Sequence, residues 1–267
     1  MSDTSLKTSI QKGLMIITLD RPESRNSLTK KIIIDLGISL DRAASSDVRA
    51  VLITGSGDSF CSGADLSEFM LIVSDQGLDE LSSYVYELAT LLHSEVIEKI
   101  CLLRKPVVCG INGVAAGAGL SLSLACDVRI CSESARFLMA YSNIGCTSDG
   151  GSSYLLPRLV GYAKAMELYF FNQPLSAQAA LDIGLVNQVI PNNSFNRHIL
   201  ETGLRLAEGP TEAFGRTKRL MNNSWNNSLQ EQLNEEAICI SEIVKTKDFQ
   251  NGIKAFLNKN KTWFTGE

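Results

Sequence analysis

Short apolar runs alternate with amphipathic stretches along the first two thirds of the chain. Residues 14–19 (LMIITL) are apolar and β-branched and stop at Asp20-Arg21-Pro22, which predicts a strand and a turn. Residues 29–44 place Ile33, Leu36, Leu40 and Ala43 at helical spacing. A buried strand is predicted at 50–54, then a long, mostly helical region at 66–100 with a break near 74–77. Residues 107–111 read as another buried strand, 117–126 as a helix so poor in polar groups that it must be buried, and 128–131 as a strand. Amphipathic helices are predicted at 155–169 and 176–184, and a strand at 185–190. Strands alternating with helices indicate an α/β architecture. From about residue 194 the pattern is helical only, and the run 222–227 (NNSWNN) reads as a helix–helix junction.

The 267 residues suit one large domain, or one with a small appendage. A chain of this size buries roughly 70–75% of its unfolded surface and needs no disulfide or metal staple. Hydrophobic content of 45%, 20% charged residues and a net charge of −4 are ordinary for a globular protein and argue against nucleic acid as a partner. The seven cysteines include no CxxC pair and lie mostly in apolar runs, which suits reduced thiols acting as small hydrophobes. With only His93 and His198 as histidines, no zinc site of the usual spacing is expected. The polar start lacks an apolar signal core, no apolar run reaches membrane-spanning length, and the final FTGE is not a peroxisomal address. A cytoplasmic protein without membrane contact is expected.

Three glycine-rich turns stand out, at 55–63, 113–119 and 145–151. None ends in the GK[ST] of a phosphate-binding loop, and none fits GxGxxG with a following acidic residue. On motif alone, such glycines make tight strand-to-helix turns and close helix packing. Two features change that balance. The first turn closes on Gly63-Ala64-Asp65 ahead of a helical pattern, and the second feeds the buried helix. Two backbone N–H groups offered by separate loops can grip one oxygen and stabilise an enolate or a tetrahedral oxyanion. The third turn holds a single carboxylate, Asp149, followed by Gly150-Gly151. A carboxylate near a helix N-terminus suggests proton chemistry beside a developing oxyanion; a capping residue for the next helix is the plainer alternative.

The segment FCSGADL, followed by PVVCGINGVAAGAG and then ACD, resembles the crotonase (enoyl-CoA hydratase/isomerase) superfamily. The opening LDRPESRNSL and the closing GIKAFLNKNKTWFTG resemble that family's two ends, so the likeness covers nearly the whole chain. It implies a ββα spiral core with an acyl-CoA site over residues 1–198 and a C-terminal helical trimerisation region over 199–267. It also implies an acyl-CoA thioester as substrate, no further cofactor, no metal, and a homotrimer or dimer of trimers. Carried over by residue, the oxyanion hole falls on the N–H groups of Ala64 and Ala118. CoA contacts fall on Arg25, Ser62, Ala64, Asp65 and Leu66, with Phe256 and Lys259 often lent by a neighbouring subunit. Simple surface charge is the alternative for Arg25 and Lys259.

The family's hydratases use two glutamates, and here those positions carry Ser121 and Tyr141. Neither is a carboxylate acid or base, so hydration by the usual pair is not expected. Between 111 and 160 the acidic residues are Asp127, in the ACD motif, Glu133, in a polar turn, and Asp149. The surroundings of Asp149 resemble the catalytic carboxylate of the family's enoyl-CoA isomerases, and the segments after it look closest to the phenylacetate-pathway ring-epoxide isomerases. The resemblance implies movement of a double bond from C3 to C2 of an enoyl-CoA, with Asp149 taking the C2 proton and returning it at C4. Candidate pocket walls are Phe69, Met70, Phe137, Tyr141 and Leu156, with core packing as the alternative and the better reading for Phe137. Rivals on the same fold are a hydratase-like enzyme, an aryl-CoA dehalogenase that would need a histidine such as His93, and a crotonase homologue that binds acyl-CoA without turnover.

Overall fold

The computed structural model describes residues 5–267, so the first four residues of the polar N-terminal stretch lie outside it. β1 (Leu6–Gln11) and β2 (Leu14–Leu19) form a hairpin, followed by α1 (Lys30–Ala43), whose first turn is capped by the Thr29 hydroxyl. β3 (Ala50–Gly55) and β4 (Ser59–Cys61) lead to α2 (Leu66–Gln76) and α3 (Leu78–Leu92), which break at Gly77 within the predicted interval. A π turn (His93–Ile97) joins α3 to α4 (Glu98–Leu102). Next come β5 (Val107–Ile111), β6 (Val114–Ala116), α5 (Ala118–Ala125), β7 (Val128–Ser132) and β8 (Arg136–Leu138). The helix expected at 155–169 is two helices, α6 (Ser152–Val160) and α7 (Tyr162–Phe171), because Gly161 turns the backbone to φ 82° between them. β9 (Leu175–Ser176), α8 (Ala177–Asp182) and β10 (Gln188–Ile190) precede α9 (Asn192–Ala207), α10 (Thr211–Asn223), α11 (Leu229–Ile243) and α12 (Lys247–Leu257).

The strands divide between two sheets. One has the order β1-β2-β3-β5-β7-β10 and is parallel apart from the β1–β2 hairpin; the other has the order β4-β6-β8-β9 and is parallel apart from β8–β9. Successive strand pairs β3/β4, β5/β6 and β7/β8 each place one strand in each sheet before a helix returns the chain. This repeated ββα turn is the expected spiral. The large sheet is covered on both faces, which explains its continuous apolar runs. Ile17, Val51, Ile53 and Cys109 face α1 and the main core, while Leu14, Leu52, Val108 and Ile130 meet Phe195 and Ile199 of α9. α9 runs through position 198 while packed on that sheet.

The topology gathers the site. β4, β6 and β8 run parallel, and the residues after their C-terminal ends are the three glycine-rich or polar turns at 62–65, 117 and 139–149. Parallel neighbours deliver those turns to one edge of the sheet, where open α/β structures place their ligands.

Candidate active site

A cavity of about 270 Å³ opens at that edge between the turns and α2 and α3. Its floor includes Ala64, Ala118, Tyr141 and Asp149, and its apolar wall includes Phe69, Leu88 and Leu92. Two backbone donors border it. Leu28 N–H bonds to Gly63 O and Asp65 N–H to Leu28 O, a parallel bridge that leaves the intervening Ala64 N–H pointing outside the ladder. Ala118 is the first residue of α5, where a helical N–H has no acceptor within its own helix. The two turns are pressed together. A Cβ on Gly119 would lie 2.2 Å from Cys61 O, and one on Gly63 would lie 3.3 Å from Ala118 N, so only glycine permits this approach. All eight residues of α5 are buried, as its composition predicts.

Asp149 is the only acidic residue on the cavity wall among the described residues. Its side chain does not cap α6: the N-cap is Gly151, with no side-chain bond. Its Oδ1 lies 2.6 Å from His93 Nε2, and the Gly150 N–H points at the same nitrogen at 3.3 Å. His93 is half exposed and Asp149 about one third exposed. A regular α-helix does not hold at His93: a π turn begins there and inserts a residue, and its imidazole meets Asp149.

The backbone carbonyl of Asp149 is held by hydroxyls. Tyr141 lies 2.9 Å from Ser121 Oγ, and Ser121 Oγ donates to Asp149 O at 2.9 Å. On the other side Tyr169 donates to Ser152 Oγ, which donates to Asp149 O at 2.7 Å. A carbonyl oxygen has two lone pairs, and two hydroxyl chains meet on them. Ser121 and Ser152 are fully buried. Burial pushes the Tyr141 and Tyr169 phenols above their ordinary range, so both remain neutral donors. Ser121 and Tyr141 thus brace the segment that bears Asp149.

The other expected site residues fall into three groups. Ser62, Leu66, Phe69 and Tyr141 line the cavity with Ala64, Ala118 and Asp149. Arg25 is exposed with φ 51° and accepts the Ser62 N–H on its carbonyl at 3.0 Å, beside the cavity rather than on its wall. Asp65 is turned away: its carboxylate takes the Ser67 hydroxyl, Ser27 Oγ at 3.0 Å and Arg21 at 3.2 Å, holding the first turn to α2. Met70 is 68% exposed and faces outward, Leu156 is a core residue at 0% exposure instead of a wall, and Phe137 is core at 1% exposure, in line with the preferred reading of it. Helix geometry accounts for Met70, which adjoins Phe69 in sequence but points about 100° away from it. Phe256 and Lys259 are exposed at the end of the helical tail and do not line the cavity of their own chain. Of the remaining carboxylates, Asp127 accepts from Val107 N–H at 2.7 Å and Lys218 at 2.9 Å, and Glu133 accepts the Asn192 N–H that opens α9; both serve the fold.

The apolar wall supplied by α3 is not among the residues the sequence singles out. Its signal was present: Val85, Leu88, Ala89 and Leu92 follow the i, i+3, i+4, i+7 spacing of one helical face. Burial raises the thiols of Cys61 and Cys131 to about 12 and that of Cys101 to about 11, as expected of cysteines that pack as hydrophobes. Cys146, at the cavity, is exposed. No helix among the described residues is long and apolar enough to cross a membrane.

The family model for enoyl-CoA hydratase/isomerase matches residues 9–267. The chain is 37% identical to a Rhodobacter capsulatus protein named probable enoyl-CoA hydratase, over 100% of both chains. It is 34% identical to the 1,2-epoxyphenylacetyl-CoA isomerase of Escherichia coli, over 97% of both. The crystal structure of an enoyl-CoA hydratase from Polaromonas sp. JS666 superposes with a TM-score of 0.90 at 32% identity, covering 97% of this chain and 99% of that one. These relatives carry the names of different chemistries, so likeness alone does not select between hydration and isomerisation. What the spiral fold, the paired turns and these matches establish together is that the chain belongs to the enoyl-CoA hydratase/isomerase (crotonase) superfamily of acyl-CoA enzymes.

Proposed function

We propose that this enzyme isomerises a 3-enoyl-CoA thioester to its 2-enoyl isomer with one carboxylate. The observation that carries this reading is the single acidic side chain, Asp149, on a cavity also bordered by the N–H groups of Ala64 and Ala118. The thioester oxygen rests against those two donors. As the C2–H bond breaks, its electron pair moves into the enolate, whose charge the two N–H groups and the positive end of α5 stabilise. Asp149 receives the C2 proton, and a proton from Asp149 then forms the bond at C4 while the double bond moves to C2–C3. Net charge and atom count are unchanged, so no cofactor beyond the CoA of the substrate is needed. A ring-epoxide phenylacetyl-CoA is a second candidate substrate of this reading. Hydration lacks its two glutamates, since Ser121 and Tyr141 occupy those positions. The test is a panel of 3-hexenoyl-CoA, crotonyl-CoA and a ring-epoxide phenylacetyl-CoA with product identification. Rapid hydration of crotonyl-CoA with 3-hexenoyl-CoA untouched overturns the proposal.

One observation favours a second reading. His93, 2.6 Å from Asp149, supplies the histidine that aryl-CoA dehalogenation needs beside its carboxylate. There the carboxylate displaces halide from the ring, and a histidine activates water to hydrolyse the aryl ester. Halide release from a ring-halogenated benzoyl-CoA distinguishes it.

We further propose that the helical tail from residue 199 associates chains into a trimer or a dimer of trimers. It exposes Leu229, Ile240, Phe256, Leu257 and Trp263, an apolar surface unusual for a lone chain. In such an assembly Phe256 and Lys259 are free to serve a neighbour's CoA. A monomer by light scattering at assay concentration removes this proposal.

A further inference from the structure

Among the described residues, His93 is the one side chain bonded to the Asp149 carboxylate. Its Nε2 has a partner in both charge states of that acid. When Asp149 is ionised, Nε2–H donates to Oδ1 across 2.6 Å. When Asp149 holds the substrate's proton, its O–H donates to a bare Nε2, which also lies 3.3 Å from the Gly150 N–H. The two ends of this contact differ in surroundings. Asp149 borders a largely apolar cavity, whereas the His93 side chain is 49% exposed to water. Asp149 is itself about one third exposed, and His93 adds a base at hydrogen-bond distance that is the more exposed of the two. Here a second route leads outward.

We propose that His93 carries protons between Asp149 and solvent during isomerisation, so that the proton delivered to C4 comes from water. The inference rests on the isomerase reading and extends it. After the C2–H bond breaks and Asp149 takes the proton, the ring shifts its own proton to Nδ1 through water, and the proton of the Asp149 O–H passes to the bare Nε2. This leaves a carboxylate and an imidazolium. The half-exposed imidazolium then swings Nε2 off Oδ1 into water, gives the substrate's proton to water there and takes one from water at the same nitrogen. The solvent-derived proton returns through Nε2 to Asp149 and forms the C4–H bond. One proton leaves for water and one arrives, and the electron pairs stay on the substrate, so no oxidant or further co-reactant enters. His93 is placed on the π turn at the cavity edge for this exchange rather than for holding the thioester.

The test is isomerisation of 3-hexenoyl-CoA by the intact protein in D₂O, with the product analysed by mass spectrometry and NMR. Wild type is expected to place deuterium at C4 in most turnovers. His93→Gln and His93→Phe are expected to lose most of that deuterium, and with substrate deuterated at C2 in H₂O they should instead transfer the label to C4. A purely structural histidine would change kcat or Tm without moving the ratio of solvent to substrate hydrogen at C4. Wild-type isomerisation with full retention of substrate hydrogen overturns the exchange and leaves the isomerase reading standing. Variants with wild-type labelling overturn it as well. Absence of isomerisation in wild type removes both. The wild-type labelling experiment decides the matter even if a variant fails to fold.

Discussion

The hydroxyl oxygens of Ser121 and Tyr141 lie 2.9 Å apart, and the serine hydroxyl donates a hydrogen bond to the backbone carbonyl of Asp149. These two hydroxyls therefore hold the backbone of the residue whose carboxylate borders the cavity. Ser121→Ala removes one hydroxyl from the carbonyl, while Tyr141 and Ser152 keep their own bonds to it at 3.2 and 2.7 Å, so the expected cost is that of one net hydrogen bond, about 0.5–1.5 kcal/mol of stability. Its expected kinetic signature is a lowered kcat with little change in KM, because the substrate's contacts remain. Denaturant unfolding together with steady-state kinetics on 3-hexenoyl-CoA reads both.

Asp149→Asn keeps the shape of the side chain and removes the base. Turnover should fall by about 10²–10⁴-fold, the usual worth of a positioned general base. Acyl-CoA affinity, measured by calorimetry, should stay close to wild type. An equal loss of affinity would mean that Asp149 serves binding rather than proton transfer.

Gly119→Ala places a methyl group against the Cys61 carbonyl, 2.2 Å from its oxygen. The backbone cannot yield cheaply, so α5 must move away from the first turn. Overpacking of this kind costs about 1–3 kcal/mol. The larger expected effect is on catalysis, because the Ala64 and Ala118 N–H groups would no longer converge on one oxygen. The falsifying result is unchanged kcat with lowered Tm.

Asp65 gives a pH-dependent stability contribution. The Ser67 hydroxyl, then Ser27 and Arg21, hold its carboxyl below the ordinary range despite partial burial. A carboxyl lowered in the folded state stabilises fully above its unfolded value, about 3.9, and loses that contribution as pH falls through the lower folded value. Asp65→Asn should therefore be less stable than wild type at neutral pH, by about 1–3 kcal/mol. The difference should shrink below pH 4 or so. A gap that persists to low pH would assign the loss to packing instead.

Cys146 is the exposed cysteine of the seven, and it stands at the cavity. A thiol reagent should modify one group quickly and the others only on unfolding, since burial holds the Cys61 and Cys131 thiols up to about 12. Saturating acyl-CoA should slow that one reaction. Several fast thiols would mean a looser core than the structure describes.

Much of the architecture was legible from apolar periodicity. β2 and β5 coincide with the predicted strands, and α1 and α5 with the predicted helices, because each buries a continuous run or a full helical face. The strands of the second sheet were not legible. β4, β6 and β8 have three residues each, too short to show a period of two. β1 escaped notice because it is an edge strand, exposed along most of its length, and its sequence LKTSIQ is largely polar. The split of 155–169 at Gly161 was missed because a glycine can sit in an apolar periodic run without interrupting the pattern.

By itself the sequence determined the α/β class, the buried helix α5, the three turns and the isolation of Asp149 among polar and small residues. These follow from local composition and chain order, which hydrophobic burial reads directly. Tertiary structure decided which side chains meet. Parallel pairing of β4, β6 and β8 brought the turns to one edge, the π turn carried His93 onto Asp149 from 56 residues away, and the packing of α6 made Leu156 core rather than wall. Contacts between distant segments depend on strand register and on the rotation of a helix about its axis. One residue in either changes the face a side chain presents, and composition leaves that rotation free.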